Sequence, residues 1–351
     1  MRILIANDSP FAHYFIRLGL SRAFVACGHE VIIWDINKKP TFDAFDEFDP
    51  QLFIGQTYNV DDAIIKCIAE RPDMKVIMKA SDWGNVSDSL DRKRFPVLIA
   101  NKKEIDNLKR LKDETGKPDF GYIHYMEHRL PETHNHWDSV GLRIESLLSA
   151  ADVFDFVNGV SKPEYECDMG FLGGRWGYKS VTFDKWFMPL LNPQSDLKVK
   201  IFGNQSWGVP QYCGVLPNGE EKHFLKSCSV CPNLSEPHSQ AFGYDLLERV
   251  WKLWANKCFC ISDYVEDFEK IFPAMPMYRT PKDFMEGIDC WTKVVNNEQT
   301  KQDIIDECYD LVINSGTYFH RISHIFNKLD CKNESEDAII TYRDIKGKLK
   351  I

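Results

Sequence analysis

Residues 231–264 read CPNLSEPHSQAFGYDLLERVWKLWANKCFCISDY, and the reading of this stretch decides the fold. Cys231 to Leu234 is short and apolar, as at the end of a strand, and Ser235-Glu236-Pro237-His238 then breaks it into a polar loop. From Tyr244 to Ala255 the apolar residues Leu246, Leu247, Val250, Trp251 and Trp254 recur at three-and-four spacing, which predicts a helix with one buried face. Cys258 to Ser262 reads as the next buried strand, closed by Asp263. Strand, polar loop, helix and strand make the repeating unit of an open parallel sheet. In such a sheet the loop and the helix N-terminus lie at the carboxyl ends of the strands, where ligands bind and backbone N–H groups favour an anion.

The same alternation extends in both directions. Arg2 to Ala6 is an apolar run, Phe15 to Cys27 continues as an apolar-periodic helix that Gly28 can end, and Val31 to Trp34 makes a second strand. The first loop, NDSPFAHY, holds no glycine, so the dinucleotide fingerprint is absent, which argues against a Rossmann dehydrogenase. Strands are expected at Leu52 to Gly55, Val76 to Lys79 and Val97 to Ala100, with a helix at Asp61 to Ala69. Between Asp119 and Trp137 the chain is polar, aromatic and His-rich and reads as a long loop; a helix from Val140 to Ala150 and a linker at SKPEYE follow. The pattern then restarts with a strand at Cys167 to Leu172, the loop GGRWGYKS, a helix at Phe183 to Leu191 and a strand at Leu197 to Phe202. Helices are expected over Glu221 to Cys228, Pro281 to Asn296 and Thr300 to Asn314.

Composition bounds the class. The 351 residues are 44% hydrophobic, enough for two domain cores. No apolar run approaches the ~18 residues of a membrane span, and MRILIANDSPF turns polar too early for a signal peptide. Eleven scattered cysteines are an odd number with no framework spacing, which fits a reducing, cytoplasmic compartment. A formal charge of −9 opposes broad affinity for nucleic acid or anionic membrane.

Several groups carry chemistry. In GGRWGYKS, Gly173 and Gly174 let backbone approach a ligand while Arg175 and Lys179 supply positive charge, the makings of a diphosphate site; the plainer reading is a turn with two solvated cations. Arg249 and Lys252 form a second basic pair on one helical face, which by itself reads as ordinary helix surface. Glu236, His238 and Gln240 on the central loop offer a proton-transfer group near neutral pH and partners for sugar hydroxyls. Cys228 and Cys231 have C-x-x-C spacing but lack a second pair at metal-site distance, so packing is the better account. His124, His128, His134 and His136 with Glu127 and Glu132 allow a metal-dependent nuclease or hydrolase; a surface loop facing an acceptor is preferred, since no H-E-x-x-H is present.

Taken as an ordered set, GHEV, GFLGGRWGYKS, KVKIFGNQSW, YCGVL, PNLSEPH and CFCISDYVEDFEKIF resemble glycosyltransferases of the GT-B fold. More narrowly, they resemble the group-1 transferases and their spore-maturation CgeB-like branch. The resemblance implies an α/β fold of two Rossmann-like doubly wound domains facing a central cleft. Its domains are an acceptor domain over 1–160, a nucleotide-sugar domain over 166–330, and a tail over 331–351 free to pack back on the first domain. It places the donor diphosphate on Arg175 and Lys179, with Gly173, Gly174, Gly203, Glu236, Gln240, Tyr244, Glu248, Arg249 and Lys252 around the donor. The family's two-glutamate motif is not intact: matched by its Phe-Gly, it puts Gln240 at the first Glu and Glu248, the candidate ribose contact, at the second. Matched backward from CFCISDY, it puts Lys252 there instead. The donor is then a UDP- or GDP-type sugar, and no metal or other cofactor is required. Candidate catalytic groups are Asp8, His13, Asp82 and His124 in the first domain, and His238. A carbohydrate acceptor contacted by the loop from His124 to Trp137 is preferred over the hydroxymethylated bases of DNA. The further alternative is a sugar-binding protein without transfer activity.

Overall fold

The structure is a computed structural model and describes residues 1–8, 12–80, 102–191, 196–293 and 298–351. Asp82 and the expected strand at 97–100 lie outside the described residues. Two compact units divide the chain: Met1–Ser149 with Tyr318–Lys350, and Ala150–Thr317 with Ile351.

In the first unit, strands β1 (Arg2–Asn7), β2 (Glu30–Asp35), β3 (Leu52–Gln56), β4 (Lys75–Lys79), β5 (Phe120–Ile123) and β6 (Ile144–Ser146) form a parallel sheet in the order β2-β1-β3-β4-β5-β6. Ile3, Leu4, Ile5 and Ala6 of β1 are all buried, the continuous apolar run of a strand covered on both faces. The helix Ala12–Ala26 ends at Gly28, whose φ of 81° is the left-handed conformation that closes a helix without a Cβ clash. Asp61 caps the helix Asp62–Ala69, its carboxylate accepting from the Ile64 N–H at 2.9 Å.

Three expectations change here. The helix expected over 140–150 is instead a turn followed by β6, which pairs with β5, while Lys112 Nζ donates to the carbonyls of Val140 and Gly141 at 2.7 and 2.9 Å. Its apolar residues satisfy a sheet edge rather than a helical face. The His-rich segment is not wholly a surface loop: β5 lies within it, and around the helices Leu130–Thr133 and Asn135–Ser139 the side chains of His134, His136 and Trp137 are buried, while Glu127, His128, Pro131, Glu132 and Asn135 stay exposed. Trp137 is 0% exposed and sits on Gly121, where an added Cβ would stand 2.3 Å from its ring. Its aromatic bulk outweighs the polar neighbours that made the segment read as a loop.

The third change is at the C-terminus, where the stretch expected as a tail packing back on the first domain holds the helix Lys332–Leu349, which belongs to the first unit together with Tyr318–Lys328. The unit boundaries therefore fall at 149/150 and 317/318 rather than near 160–166 and 330. Tyr318 packs where a side chain on Gly19 would collide, Phe326 meets Phe24 edge-on at 5.5 Å, and Arg321 donates to the carbonyls of Leu148 and Ser149 at 2.7 and 3.0 Å.

In the second unit, β7 (Cys167–Leu172), β8 (Val199–Phe202), β9 (Cys228–Asn233), β10 (Cys260–Asp263) and β11 (Met277–Tyr278) form a parallel sheet ordered β11-β10-β9-β7-β8. Its core joins Phe171, Phe183, Phe187 and Trp207 to Ile201, Val230, Ile261 and Phe284. The helix expected over 244–255 begins only at Glu248, as Glu248–Ala255, and a separate short helix, Pro237–Phe242, stands in the stretch expected as loop; Gly243 and Asp245 between them are in left-handed conformation with φ of 78° and 72°. Helical spacing alone does not register that break, because Leu246 stays buried on the bridging segment. Cys228 opens β9 instead of ending a helix, and its sulfur lies 3.6 Å from that of Cys167, both unbonded and buried. Among the described residues no helix is long and apolar enough to cross a membrane.

Candidate functional site

The second sheet reverses direction between β7 and β9, since β8 lies on one side of β7 and β9 on the other. Such a switch point leaves a crevice at the carboxyl ends of the strands. The loop after β7 reaches it through close backbone packing. The Gly173 N–H donates to the Phe202 carbonyl at 2.8 Å, the Gly173 carbonyl accepts from Trp207 Nε1 at 2.9 Å, and a Cβ on Gly203 would stand 2.4 Å from that same carbonyl. Gly203→Ala is therefore expected to destabilise the protein by roughly 1 to 3 kcal/mol through overpacking; an unchanged denaturation midpoint would refute this contact. Gly174 faces the side chains of Asn204 and Gln205.

Lys179, on the helix Gly177–Trp186 and not on the loop, places Nζ 3.7 Å from Glu236 Oε1, with side chains only 7% and 10% exposed. Burial lowers the Lys179 pKa, Glu236 opposes that shift, and the nearby Arg249 charge adds to it. Burial raises the pKa of Glu236, against the Lys179 charge, and its Oε2 has no hydrogen-bond partner. Arg249 stacks its guanidinium 4.0 Å from the Phe171 ring centroid, and its Nη2 comes within 2.6 Å of where a Gly173 Cβ would be. Gly173, at φ 156°, is thus needed for the approach of Arg249 as much as for any ligand. Burial brings the Arg249 pKa down to about 10, and its Nη1 is buried without a partner. Lys179 and Arg249 are two desolvated cations that each lack the full solvation an anion would restore.

Around them stands a supporting shell in which His238 and Gln240 were expected as site residues, but their partners Asp263, Ser235, Tyr178 and Asp245 were not. Asp263, at the end of β10, accepts from the Ser235 N–H at 2.9 and 3.0 Å, from Ser235 Oγ at 3.0 Å and from Gln240 Nε2 at 2.5 Å. Burial raises its pKa, and these bonds offset part of that shift. An acidic residue closing an apolar parallel strand was the available signal. Gln240 accordingly holds Asp263 and the loop in register. His238 is 1% exposed, with Nδ1 3.2 Å from the Tyr178 hydroxyl and Nε2 2.8 Å from Asp245 Oδ2. Burial pushes the Tyr178 hydroxyl up to about 12, so it stays protonated.

Other expected donor contacts separate from this group. Arg175 pairs with Asp184 at 2.5 Å. Glu248 and Lys252 pair with each other at 2.9 Å, and Lys252 lies 4.6 Å from the Phe156 ring, whereas Arg249 covers the Phe171 ring. Tyr244 is buried and stacks on Phe242 at 6.0 Å.

The first unit has its own switch point, between β1 and β3. Asp8 follows β1 and accepts from Gln56 Nε2, at the end of β3, at 3.1 Å. His13 lies partly exposed near the start of the helix Ala12–Ala26, and His124, after β5, has Nδ1 2.7 Å from the Leu147 carbonyl oxygen. Asp8 and His124 thus stand at different strands of the sheet. His134 and His136, which the nuclease reading needs accessible, are buried, with ring centroids 5.6 Å apart. Among the described residues no three His, Cys, Asp or Glu side chains gather as a metal would require.

A family model described as glycosyl transferase-like matches residues 183–327. No curated protein matches the chain. Among solved structures, a mutant of T4 phage BGT in complex with UDP-glucose is similar over 97% of this chain and 99% of that one, at 11% identity and a TM-score of 0.55. The fold is GT-B. A DNA modifying enzyme, β-glucosyltransferase, matches over 100% of both chains at 12% identity and a TM-score of 0.53. The N-terminal domain of Candida albicans trehalose-6-phosphate phosphatase shares the GT-B likeness at 10% identity and a TM-score of 0.57, over 94% of this chain and 96% of that one. Both sheets of this GT-B chain are parallel, and each has a switch point at the carboxyl ends of its strands.

Proposed function

We propose that this GT-B chain is a glycosyltransferase that moves a sugar from a nucleotide-diphosphate sugar to an acceptor hydroxyl. The observation that carries the reading is the convergence of Lys179 and Arg249, both desolvated, on the switch point of the second sheet beside Glu236. A diphosphate there would receive charged hydrogen bonds from both. The same cations would stabilise negative charge growing on the leaving diphosphate, where electrostatic catalysis acts. Because side chains supply that charge, the reading needs no metal. Glu236, with an oxygen unpartnered, suits a sugar hydroxyl, while His238 and Gln240 hold the loop. The glycosyl transferase-like match over 183–327 supports the transferase class and is consistent with the CgeB-like branch, and the UDP-glucose complex of T4 phage BGT favours a UDP-type donor over a GDP-type one. Free buried cysteines fit a cytoplasmic, reducing setting.

The preferred acceptor is a carbohydrate, on charge: at net −9 the chain is poorly suited to neutralising DNA phosphates, while Trp137, His134 and His136 of the loop from His124 to Trp137 are buried. The second reading, transfer to hydroxymethylated DNA, is motivated by the DNA modifying β-glucosyltransferase. The deciding experiment measures UDP release from UDP-glucose with glycan acceptors and with hydroxymethylated duplex DNA. No nucleotide-sugar binding or turnover across UDP and GDP donors would leave only a protein without transfer activity, and steeply salt-dependent duplex binding with transfer would select DNA. Arg249→Met keeps the stem over Phe171 but removes the charge. It is expected to weaken UDP binding by about 10- to 100-fold, the ~1.5 to 3 kcal/mol of a charged hydrogen bond. Titration calorimetry reads this directly, and unchanged affinity removes Arg249 from the site.

A further inference from the structure

Trp176, on the loop after β7, is 42% exposed yet fixed in place. Its carbonyl accepts from the Ser180 N–H at 3.0 Å, the bond that starts the helix Gly177–Trp186, and Arg175 before it is tied to Asp184. Its ring leans on Tyr178 at 5.5 Å between centroids, and Tyr178 in turn stacks on His238 with the ring planes 14° apart. The Tyr178 hydroxyl and Asp245 meet the two ring nitrogens of His238, so the indole rests on a buried, hydrogen-bonded base. Tyr178 follows β7 and His238 follows β9, the strands that flank the switch point, and Trp176 therefore stands at the crevice. It also stands beside Glu236: burial raises the pKa of that carboxyl, and Trp176 is among the side chains that oppose the shift. A held aromatic ring with open surface, next to a carboxylate, is a recognition surface rather than a core element.

We propose that Trp176 is the platform on which the transferred sugar of the donor stacks, with the C–H face of a pyranose ring on the indole and a ring hydroxyl donating to Glu236. The assignment rests on the glycosyltransferase reading of the same site. Position along the donor selects the sugar over the nucleobase. In a nucleotide-diphosphate sugar the hexose is bonded to the diphosphate itself, whereas the base is set off by a ribose. Glu236 Oε1 lies 3.7 Å from Lys179 Nζ, one of the two cations assigned to the diphosphate, so a ring beside Glu236 meets what is attached directly to phosphate. The chemistry agrees. A pyranose is neutral, with apolar C–H groups on its face and hydroxyls around its rim, which an indole face with a carboxylate at its edge matches on both counts. Trp176 thus supplies affinity that UDP without a sugar cannot use.

The test is titration calorimetry on the full chain with UDP and UDP-glucose as separate probes, comparing the wild type with Trp176→Ala and Trp176→Phe. Trp176→Ala is expected to weaken UDP-glucose binding at least fivefold while UDP affinity stays within twofold. Trp176→Phe keeps a ring and should return UDP-glucose affinity to within about threefold of the wild type. A merely structural tryptophan would not tell the two ligands apart, and thermal melts establish that both variants fold. Parallel losses of UDP and UDP-glucose affinity in Trp176→Ala would overturn the proposal and move the stacking partner to the nucleobase. Equal UDP-glucose binding by wild type and Trp176→Ala, or a wild type that binds UDP but not UDP-glucose, would overturn it outright. Failure of the wild type to bind UDP at all would sink the transferase reading and the Trp176 assignment with it, a result distinct from the others, in which UDP still binds.

Discussion

Lys179→Ala is expected to destabilise the protein by about 3 to 5 kcal/mol, because it leaves the buried Glu236 carboxylate without its counter-charge. Lys179 belongs to a packed helix, not to a loop that could yield around the change. The loss should depend on pH in a defined direction. Glu236 already has a folded pKa above its unfolded value, and without Lys179 it rises further. A carboxyl with a raised folded pKa is tolerated while protonated, so the variant should be least impaired below the ordinary glutamate range and lose stability as pH rises through the raised pKa. The double variant Lys179→Met with Glu236→Gln removes both charges and should recover most of the stability, while still failing to bind nucleotide diphosphate. Thermal melts across pH combined with UDP titration separate the two roles. A double variant that binds UDP normally would show that Lys179 is only a structural partner of Glu236.

Trp137→Ala should cost a comparable ~3 to 5 kcal/mol, the usual penalty for truncating a fully buried large aromatic side chain. Trp137 is 0% exposed and rests on the Gly121 backbone of β5, so no neighbour can fill the space without moving the strand. The nearby His128 is exposed, and His128→Ala should change stability by no more than about 0.5 kcal/mol. Denaturant melts of the two variants decide between core and surface. If Trp137→Ala melts like the wild type and only loses acceptor affinity, the segment is a binding loop after all.

The sequence by itself determined the class of this fold. A strand buried on both faces is a short apolar run, and a helix covering it has a period near 3.6, so β1, β7 and β10 and the helices after β1 and β3 could be read locally from residues such as Ile3 to Ala6 and Ile64 to Ile68. The presence of Arg249, Lys179, Glu236 and Asp8 near strand ends was legible for the same reason. Which of them meet was not. Strand order is a long-range choice, and only that order puts β9 beside β7, bringing Glu236 to Lys179 and Arg249 over Phe171, while Arg175 turns to Asp184 and Lys252 to Glu248. The burial of His134 and Trp137, the break at Gly243 and Asp245, and the return of Tyr318–Lys328 to the first unit were likewise decided by tertiary structure. In each case a local polarity or periodicity was overruled by the packing of residues far apart in the chain, such as Trp137 on Gly121 and Tyr318 on Gly19.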